Sequence, residues 1–345
     1  MRQGRLKVST RQPYGYYHCY GRLQKTRPDF SAPDKELFLS HLKRASLLCQ
    51  VRVLAFIVMD NHFHILVEVP SPPSHRPDAH ALLEILSPLL SPSRWKHLKA
   101  RWDHLSSQPH LAQQLQESLE PYHRRMWDVS SFIKTLKESF SQELNRLHDL
   151  KGSPWDDRFG SVIVQGSAQT LLMVASYVEL NAVRAGIAPE GDPALYRWSS
   201  LAMAMGGEPR SLEGITRLMG CEASGQSLDP KESLERYREV VYRRGAQELE
   251  SVDEEGRPMR GVIAAEKVRE VIRNRGRVSV GEYVRCRVGY FVKGLVLGSR
   301  EYVEEVLRDL GQKVSGRRQK RGAQRLEGVE EELYSLRSYS PDLFG

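Results

Sequence analysis

Cysteine is scarce in this sequence, and long apolar runs are absent. The four cysteines are widely spaced and form no CxxC pair, which argues against a disulfide framework and against a zinc knuckle. No window approaches the ~20 apolar residues that a membrane-spanning helix needs. The N-terminus is basic and leads into aromatic residues, so we expect no signal peptide. Together these absences predict a soluble protein of the reducing cytoplasm, without a membrane partner.

Histidine is absent from the second half of the chain. All eleven histidines lie at or before His148. This distribution weakens one enzyme class, the metal-dependent hydrolases with a His-x-His motif, because such sites normally recruit further His or Asp ligands from later in the chain. A two-histidine phosphodiesterase would need a second similar motif, and the sequence has none.

Acidic residues are absent from two segments that are rich in Lys and Arg. The chain has 345 residues and a formal net charge of +8. Residues 1–28 contain seven Lys or Arg and no Asp or Glu. Lys313–Arg325 contains six Lys or Arg and no Asp or Glu. Such segments favour contact with phosphates, although solvated basic tails have the same composition.

The most informative stretch is Asn61-His62-Phe63-His64, inside the apolar run Val51–Pro70. Successive side chains of a strand point to opposite faces, so both imidazoles lie on one face and Phe63 lies on the other. The apolar face also contains Ile65, Val67 and Val69. The pattern predicts a strand that buries one side in the core and presents two nitrogens able to bind a metal ion on the other.

The predicted elements follow the order strand, helix, strand, strand, helix, strand, helix. Their ranges are Tyr14–Leu23, a helix capped by Asp34 and running to Leu48, Val51–Val58, the histidine strand, a helix from Ser130 or Ser131 to Leu147, Arg158–Gln165 and Ala168–Arg184. Residues 71–128, with Gln-rich helical stretches, form an insertion. The first six elements predict an α+β protein with a ferredoxin-like βαββαβ core and an antiparallel sheet. Residues 206–345 are predicted to be a separate, mostly helical accessory region with a basic tail.

Tyr177 and Asn181 lie four residues apart on the last of these helices, so they share one face of it. A tyrosine in a helix is more often a core or rim residue than a nucleophile, but this one lies on the more polar face. If His62, His64 and Asn181 converge, two imidazoles and one amide oxygen would suit Mg²⁺ or Mn²⁺ with open positions for a substrate phosphate. Tyr177 would then be placed to attack that phosphate.

Five segments in this order resemble the single-tyrosine HUH transposases, especially the REP-associated tyrosine transposases of bacteria. They are Val58-Met59-Asp60-Asn61-His62-Phe63-His64, Ser131-Phe132-Ile133-Lys134-Thr135-Leu136-Lys137, Trp155-Asp156-Asp157-Arg158-Phe159, Tyr177-Val178-Glu179-Leu180-Asn181-Ala182-Val183-Arg184-Ala185-Gly186 and Tyr196-Arg197-Trp198-Ser199-Ser200. They cover roughly residues 14–70 and 129–202. One departure is Ala182, which stands where a Pro is common in that family.

The resemblance implies that residues 1–205 form the catalytic domain, that His62, His64 and Asn181 bind a divalent metal, Mg²⁺ or Mn²⁺, and that Tyr177 is the nucleophile. It also implies cleavage and rejoining of single-stranded DNA beside hairpins through a 5′-phosphotyrosine intermediate, as in DNA transposition and recombination. The expected setting is the bacterial cytoplasm and nucleoid, as a monomer or homodimer. The candidate DNA contacts are Arg11, Tyr17, Arg22, Lys25, Arg158 and Arg184. The accessory region is a further candidate for DNA binding.

Two alternatives concern the ligand set, and one concerns the function. Glu68 shares the face of the two histidines, but it lies about 13 Å along the strand from His64, so it ranks below Asn181 as third ligand. His18 of the first strand could also approach the site, with core packing as its other interpretation. A non-catalytic DNA- or RNA-binding protein would keep the basic and aromatic surface without needing the histidine pair, the tyrosine and the amide together.

Overall fold

A computed structural model describes residues 13–222, 229–247 and 263–277, with short pieces at 297–298, 300–301, 304, 307–308, 322–325 and 334–335. The described residues divide into two compact units. The first contains the chain up to Val53 together with Val58–Gly166, and the second contains Leu54–Ile57 together with the chain from Ser167 onward. The predicted domain boundary after residue 205 stays a prediction.

The sheet has the topology that the order of elements predicts. The elements up to residue 164 are β1 (Tyr14–Arg22), α1 (Ala32–Cys49), β2 (Arg52–Val58), β3 (His62–Pro70), α2 (Ala79–Leu86), α3 (Pro92–Ser106), α4 (Ala112–His123), α5 (Val129–His148) and β4 (Gly160–Val164). The strand order is β2-β3-β1-β4, and β1 pairs antiparallel with both β3 and β4. This order confirms the ferredoxin-like βαββαβ core, with α2 to α4 inserted before α5.

The alternation of side chains on β3 fixes which face of the sheet is covered by helices. Phe63, Ile65 and Val67 are all fully buried. The ring of Phe63 lies 5.0 Å from that of Phe38 on α1 and 5.5 Å from that of Trp155. Burying a large aromatic side chain contributes roughly 1.5–3 kcal/mol relative to leaving it exposed. The predicted apolar face of the histidine strand is therefore the core face.

Both long helices of the first unit begin earlier than the sequence predicted. Ser31 is the N-cap of α1, and Asp34 completes a capping box by accepting a hydrogen bond from the Ser31 backbone N–H at 3.0 Å. Asp128 caps α5 by accepting from the backbone N–H of Ser131 at 2.7 Å. In each case two residues able to cap lie three positions apart, and propensity alone does not choose between them.

The insertion is helical, as expected, and it has its own small core. The fully buried indole of Trp102 lies at its centre and donates a hydrogen bond to Ser118 Oγ at 2.8 Å. The cluster around it is formed by Leu82, Leu83, Leu86, Leu89, Leu105, Leu119 and Met126. The insertion has no clear two-sided hydrophobic pattern in the sequence because three short helices share one core there. It does not form one long amphipathic helix.

The second unit is mainly helical in its described part. Its helices are α6 (Ala168–Glu179), α7 (Asn181–Arg184), α8 (Ser200–Met205), α9 (Pro209–Glu222), α10 (Pro230–Gln247) and α11 (Ala265–Arg273). The single predicted helix over Ala168–Arg184 is thus two helices that meet at Leu180. The strands β5 (Leu297–Gly298), β6 (Gln324–Arg325) and β7 (Tyr334–Ser335) form a small sheet of order β5-β7-β6. The predicted capping residues Ser279, Glu282 and Ser299 lie outside the described residues.

A buried arginine holds part of the region after residue 205 together. The Nη1 atom of Arg238, on α10, donates hydrogen bonds to the backbone oxygens of Gly276 and Arg277 at 3.3 and 2.7 Å. On the same helix, the Tyr242 hydroxyl donates to the carboxylate of Asp192. These contacts satisfy the buried Nη1 atom of Arg238 and the buried hydroxyl of Tyr242. None of the helices described here has the length and apolar character needed to span a bilayer.

Candidate metal and tyrosine sites

The turn that precedes the histidine pair is anchored by three contacts within the first unit. The backbone N–H of Met59 donates to the oxygen of His62 at 2.8 Å, which closes the turn between β2 and β3. The Leu23 N–H donates to the oxygen of Asn61 at 2.8 Å. The buried Lys35 ammonium pairs with Asp60 at 2.5 Å. These contacts fix where β3 begins and therefore which of its residues face away from the core.

His62 and His64 lie on one face of β3, as the alternation predicts. Their ring centroids are 5.2 Å apart and the rings are perpendicular. The Nδ1 atom of His62 lies 2.8 Å from the amide oxygen of Asn61, so this nitrogen carries the proton and donates it. The Nδ1 atom of His64 lies 3.0 Å from Nε2 of His18 on β1. Each ring is thus oriented through Nδ1, and Nε2 is the nitrogen through which each would bind an ion.

The three histidines are held in the neutral form. Burial, and next the charges that His18 and His62 would carry, lower the pKa of His64 to about 3. Burial also lowers the pKa of His18, and burial together with the Arg22 guanidinium lowers that of His62. Neutral imidazole is the form that binds a metal ion, because the coordinating nitrogen must carry a lone pair.

The donor set of the histidine pair fits a divalent ion. Two oriented, neutral imidazoles would hold it, and oxygen ligands would have to complete its coordination. Across the described ranges, no group of three or more His, Cys, Asp and Glu side chains is arranged to hold an ion. Asn181 belongs to the second unit, and its role as third ligand stays a prediction.

Glu68 is occupied by other partners. Its carboxylate is fully buried and accepts a hydrogen bond from the Tyr16 hydroxyl at 3.0 Å. It also pairs with the guanidinium of Arg52. These contacts satisfy the charge within the sheet, so Glu68 has a structural role that explains its place on the histidine face.

Tyr177, Asn181 and Arg184 form a second group, at the end of α6 in the second unit. The Tyr177 side chain is 43% exposed. Its backbone oxygen accepts hydrogen bonds from Asn181 Nδ2 at 2.7 Å and from Arg184 Nη1 at 3.2 Å. The Arg184 guanidinium lies 5.0 Å from the centre of the Tyr177 ring, a cation–π distance.

These contacts explain why the predicted helix breaks at Leu180. Asn181 Nδ2 donates to the backbone oxygens of both Tyr177 and Val178, in the last turn of α6. Carbonyl oxygens only accept hydrogen bonds, so the amide nitrogen must face them. The amide oxygen Oδ1, the atom that a metal ion would use, therefore points away from the helix end.

Glu179 is an important residue of the tyrosine segment that sequence reasoning missed. It is fully buried, and its Oε1 accepts hydrogen bonds from Ser200 Oγ at 2.5 Å, the Leu201 N–H at 3.0 Å and the Tyr237 hydroxyl at 3.2 Å. Burial raises the pKa of this carboxyl to about 7, although these donors oppose the shift. The sequence does contain a signal for a buried, hydrogen-bonded role, because this glutamate lies on the apolar side of an amphipathic helix.

The predicted DNA contacts fall in different environments. Arg22 and Arg158 are exposed in the first unit and line one cavity of about 680 Å³. Lys25 is also exposed, whereas Tyr17 is buried on the core face of β1 and packs there instead of meeting solvent. Arg11 lies outside the described residues.

The similarity of this chain to known proteins is distant. No protein-family model matches the sequence, and no curated protein matches it. One solved structure that is similar is that of a REP-associated tyrosine transposase bound to a REP hairpin, at 12% sequence identity and a TM-score of 0.36. The match covers 58% of this chain and 82% of that one. A similarity of this size does not establish the family of the chain.

Proposed function

We propose that this protein is a metal-dependent, single-tyrosine DNA nuclease and strand transferase that acts on single-stranded or hairpin DNA. The observation that carries the proposal is the histidine pair. His62 and His64 share one face of β3, and each is oriented through Nδ1 by a neighbouring side chain. Metal-binding histidines commonly have their second ring nitrogen oriented in this way.

The tyrosine group supplies the second support. Tyr177 is a partly exposed phenol whose ring is held by a cation, and the Asn181 amide is oriented by the same helix end. A nucleophile must be accessible and held in place, and both conditions are met within the second unit. The ordered motifs of the sequence resemble those of one family of enzymes, the single-tyrosine HUH transposases, which uses both groups.

The proposed chemistry transfers one phosphoryl group from the 3′ oxygen of the DNA strand to Tyr177. The Tyr177 oxygen forms a bond to phosphorus as the bond from phosphorus to the 3′ oxygen breaks. The phenol loses its proton and the leaving oxygen gains one, which gives a 5′-phosphotyrosine and a 3′-OH. His62 and His64 would hold a divalent ion, which would supply Lewis-acid chemistry at the phosphate. Attack by a 3′-OH on the phosphotyrosine reverses the step and rejoins the strand.

The experiment that tests the proposal mixes the full chain with labelled hairpin oligonucleotides that carry single-stranded flanks. With Mn²⁺ or Mg²⁺, we expect a cleaved strand on a denaturing gel, and none with EDTA. Tyr177→Phe and His64→Ala should each abolish it. The matched controls are Tyr122→Phe in the insertion and His75→Ala at an exposed position, which should both cleave like wild type.

Two outcomes would contradict the proposal. Cleavage that survives Tyr177→Phe would show attack by water, as in a metal-dependent hydrolase. Tight binding without cleavage over hairpins of varied stem and flank, with either metal, would favour a non-catalytic binding protein.

A further inference from the structure

Tyr20 is an exposed aromatic residue beside the histidine pair, and its position depends on a glycine. In the sheet Tyr20 lies opposite His64 of β3 on one side and opposite Gly160 of β4 on the other. A Cβ atom added to Gly160 would lie 2.1 Å from Cζ of the Tyr20 ring and 2.5 Å from its hydroxyl oxygen. Only glycine lets the ring lie across the neighbouring strand in this way.

The ring remains accessible in this position. Tyr20 is 42% exposed, and its ring centroid lies 6.1 Å from that of His64 and 5.7 Å from that of His18. A single exposed tyrosine is unremarkable on a protein surface. This one lies directly beside the proposed metal ligands, and any ligand held there would be next to the reacting phosphate.

The cavity next to Tyr20 has the chemistry that a nucleotide requires. Its volume is about 680 Å³, and its lining includes the exposed side chains of Arg22 and Arg158 together with Asp156 and Asp157. Guanidinium groups suit phosphates, an aromatic ring suits the face of a base, and carboxylates accept hydrogen bonds from base amino groups. A bare polyanion would be repelled by the two carboxylates, so the mixed lining fits a whole nucleotide better.

We propose that Tyr20 is a stacking platform for one unpaired base of the substrate strand, with Arg22 and Arg158 contacting the adjoining phosphates. This inference rests on the proposed function, because it names where the single strand lies beside the histidine pair. It adds Tyr20 and Gly160 to the residues with a role in DNA recognition.

The test measures binding without cleavage, in EDTA. Single-stranded oligonucleotides carry one 2-aminopurine at successive positions, and the full-length protein should quench its fluorescence at one position. Tyr20→Ala should abolish that quenching and weaken binding by about 5- to 150-fold, the range for base–aromatic stacking. Tyr20→Phe keeps the ring and should stay within about twofold of wild type.

Two further variants separate stacking from general damage to the sheet. Gly160→Ala should displace the ring and reproduce the effect of Tyr20→Ala. Val162→Ala, at an exposed apolar position of the same strand, should bind like wild type. Circular dichroism confirms that each variant is folded before binding is compared.

The outcomes distinguish this inference from the proposed function. Unchanged quenching and affinity in Tyr20→Ala would refute the platform, even if the wild type cleaves DNA with metal. Quenching that depends on Tyr20, in a protein that never cleaves, would support the platform and refute the nuclease. A wild type that binds no single-stranded DNA would refute both.

Discussion

Replacing Glu179 tests whether this buried carboxyl holds the tyrosine helix in place. In Glu179→Ala, the Leu201 N–H and the Tyr237 hydroxyl lose their acceptor, and the Ser200 hydroxyl keeps only its longer hydrogen bond, at 3.3 Å, to the backbone oxygen of Phe56. A buried donor left without a partner costs about 1–3 kcal/mol. Partial relaxation and water entry reduce the sum, so we expect the second unit to lose about 4 kcal/mol of stability.

Glu179→Gln should be much milder. The amide oxygen can replace Oε1 as acceptor for all three donors, and the amide group has nearly the same volume. Because burial raises the pKa of Glu179 to about 7, a neutral side chain is also close to the native charge state. We therefore expect a loss of about 1 kcal/mol or less, within the range of a modest substitution.

The assay is amide hydrogen exchange followed peptide by peptide, because it reports the opening of α6 and α8 separately from the first unit. Faster exchange of both helices in Glu179→Ala, with near-native exchange in Glu179→Gln, supports the reasoning. Glu213→Ala, at an exposed glutamate of α9, is the control and should change nothing there. If the Ala and Gln variants exchange alike, the hydrogen bonds to Glu179 do not hold the helix.

Two other predictions concern the first unit. His18→Ala removes the partner that orients His64 and should weaken Mn²⁺ binding, measured by calorimetry, by about 10- to 100-fold. The control His75→Ala should leave the Mn²⁺ affinity unchanged. Equal Mn²⁺ affinities in the wild type and the His18 variant would mean that His18 does not orient His64. Phe63→Ala opens a cavity in the core and should lower the stability of this unit to urea by about 3–5 kcal/mol. Leu147→Ala, at a position that is 58% exposed, should cost less than about 0.5 kcal/mol, and similar losses in the two variants would contradict the assigned core face.

Much of the core could be predicted because its signals are local in the sequence. The alternation through Phe63 and Ile65 identified the core face of β3, although Leu66 and Glu68 on the histidine face are also buried, and the order of elements gave the sheet topology. The spacing of Tyr177 and Asn181 predicted that they lie one turn apart, and the Asn181 amide does contact the Tyr177 backbone, although the single predicted helix is divided at Leu180. These features depend on periods of two and of three to four residues, which a single sequence displays.

The contacts that orient the candidate site could not be predicted in the same way. The contact between His18 and His64 depends on the register of β1 against β3. The position of the Tyr20 ring over Gly160 depends on the register of β4 against β1. Registers between distant strands leave little trace in local composition. The helix breaks at Leu180 because the Asn181 side chain donates a hydrogen bond to a backbone oxygen at the end of α6. The helical period of the sequence alone does not predict this break.

The measurement that tests the central claim most directly is the mass of the peptide containing Tyr177 after reaction with a hairpin oligonucleotide and Mn²⁺. The reaction is stopped with denaturant, the DNA is trimmed by nucleases, and the protein is digested. We predict a nucleotide attached through its 5′ phosphate to Tyr177, absent with EDTA and absent in His64→Ala. Cleaved DNA with no adduct, or an adduct on another tyrosine, would contradict the account.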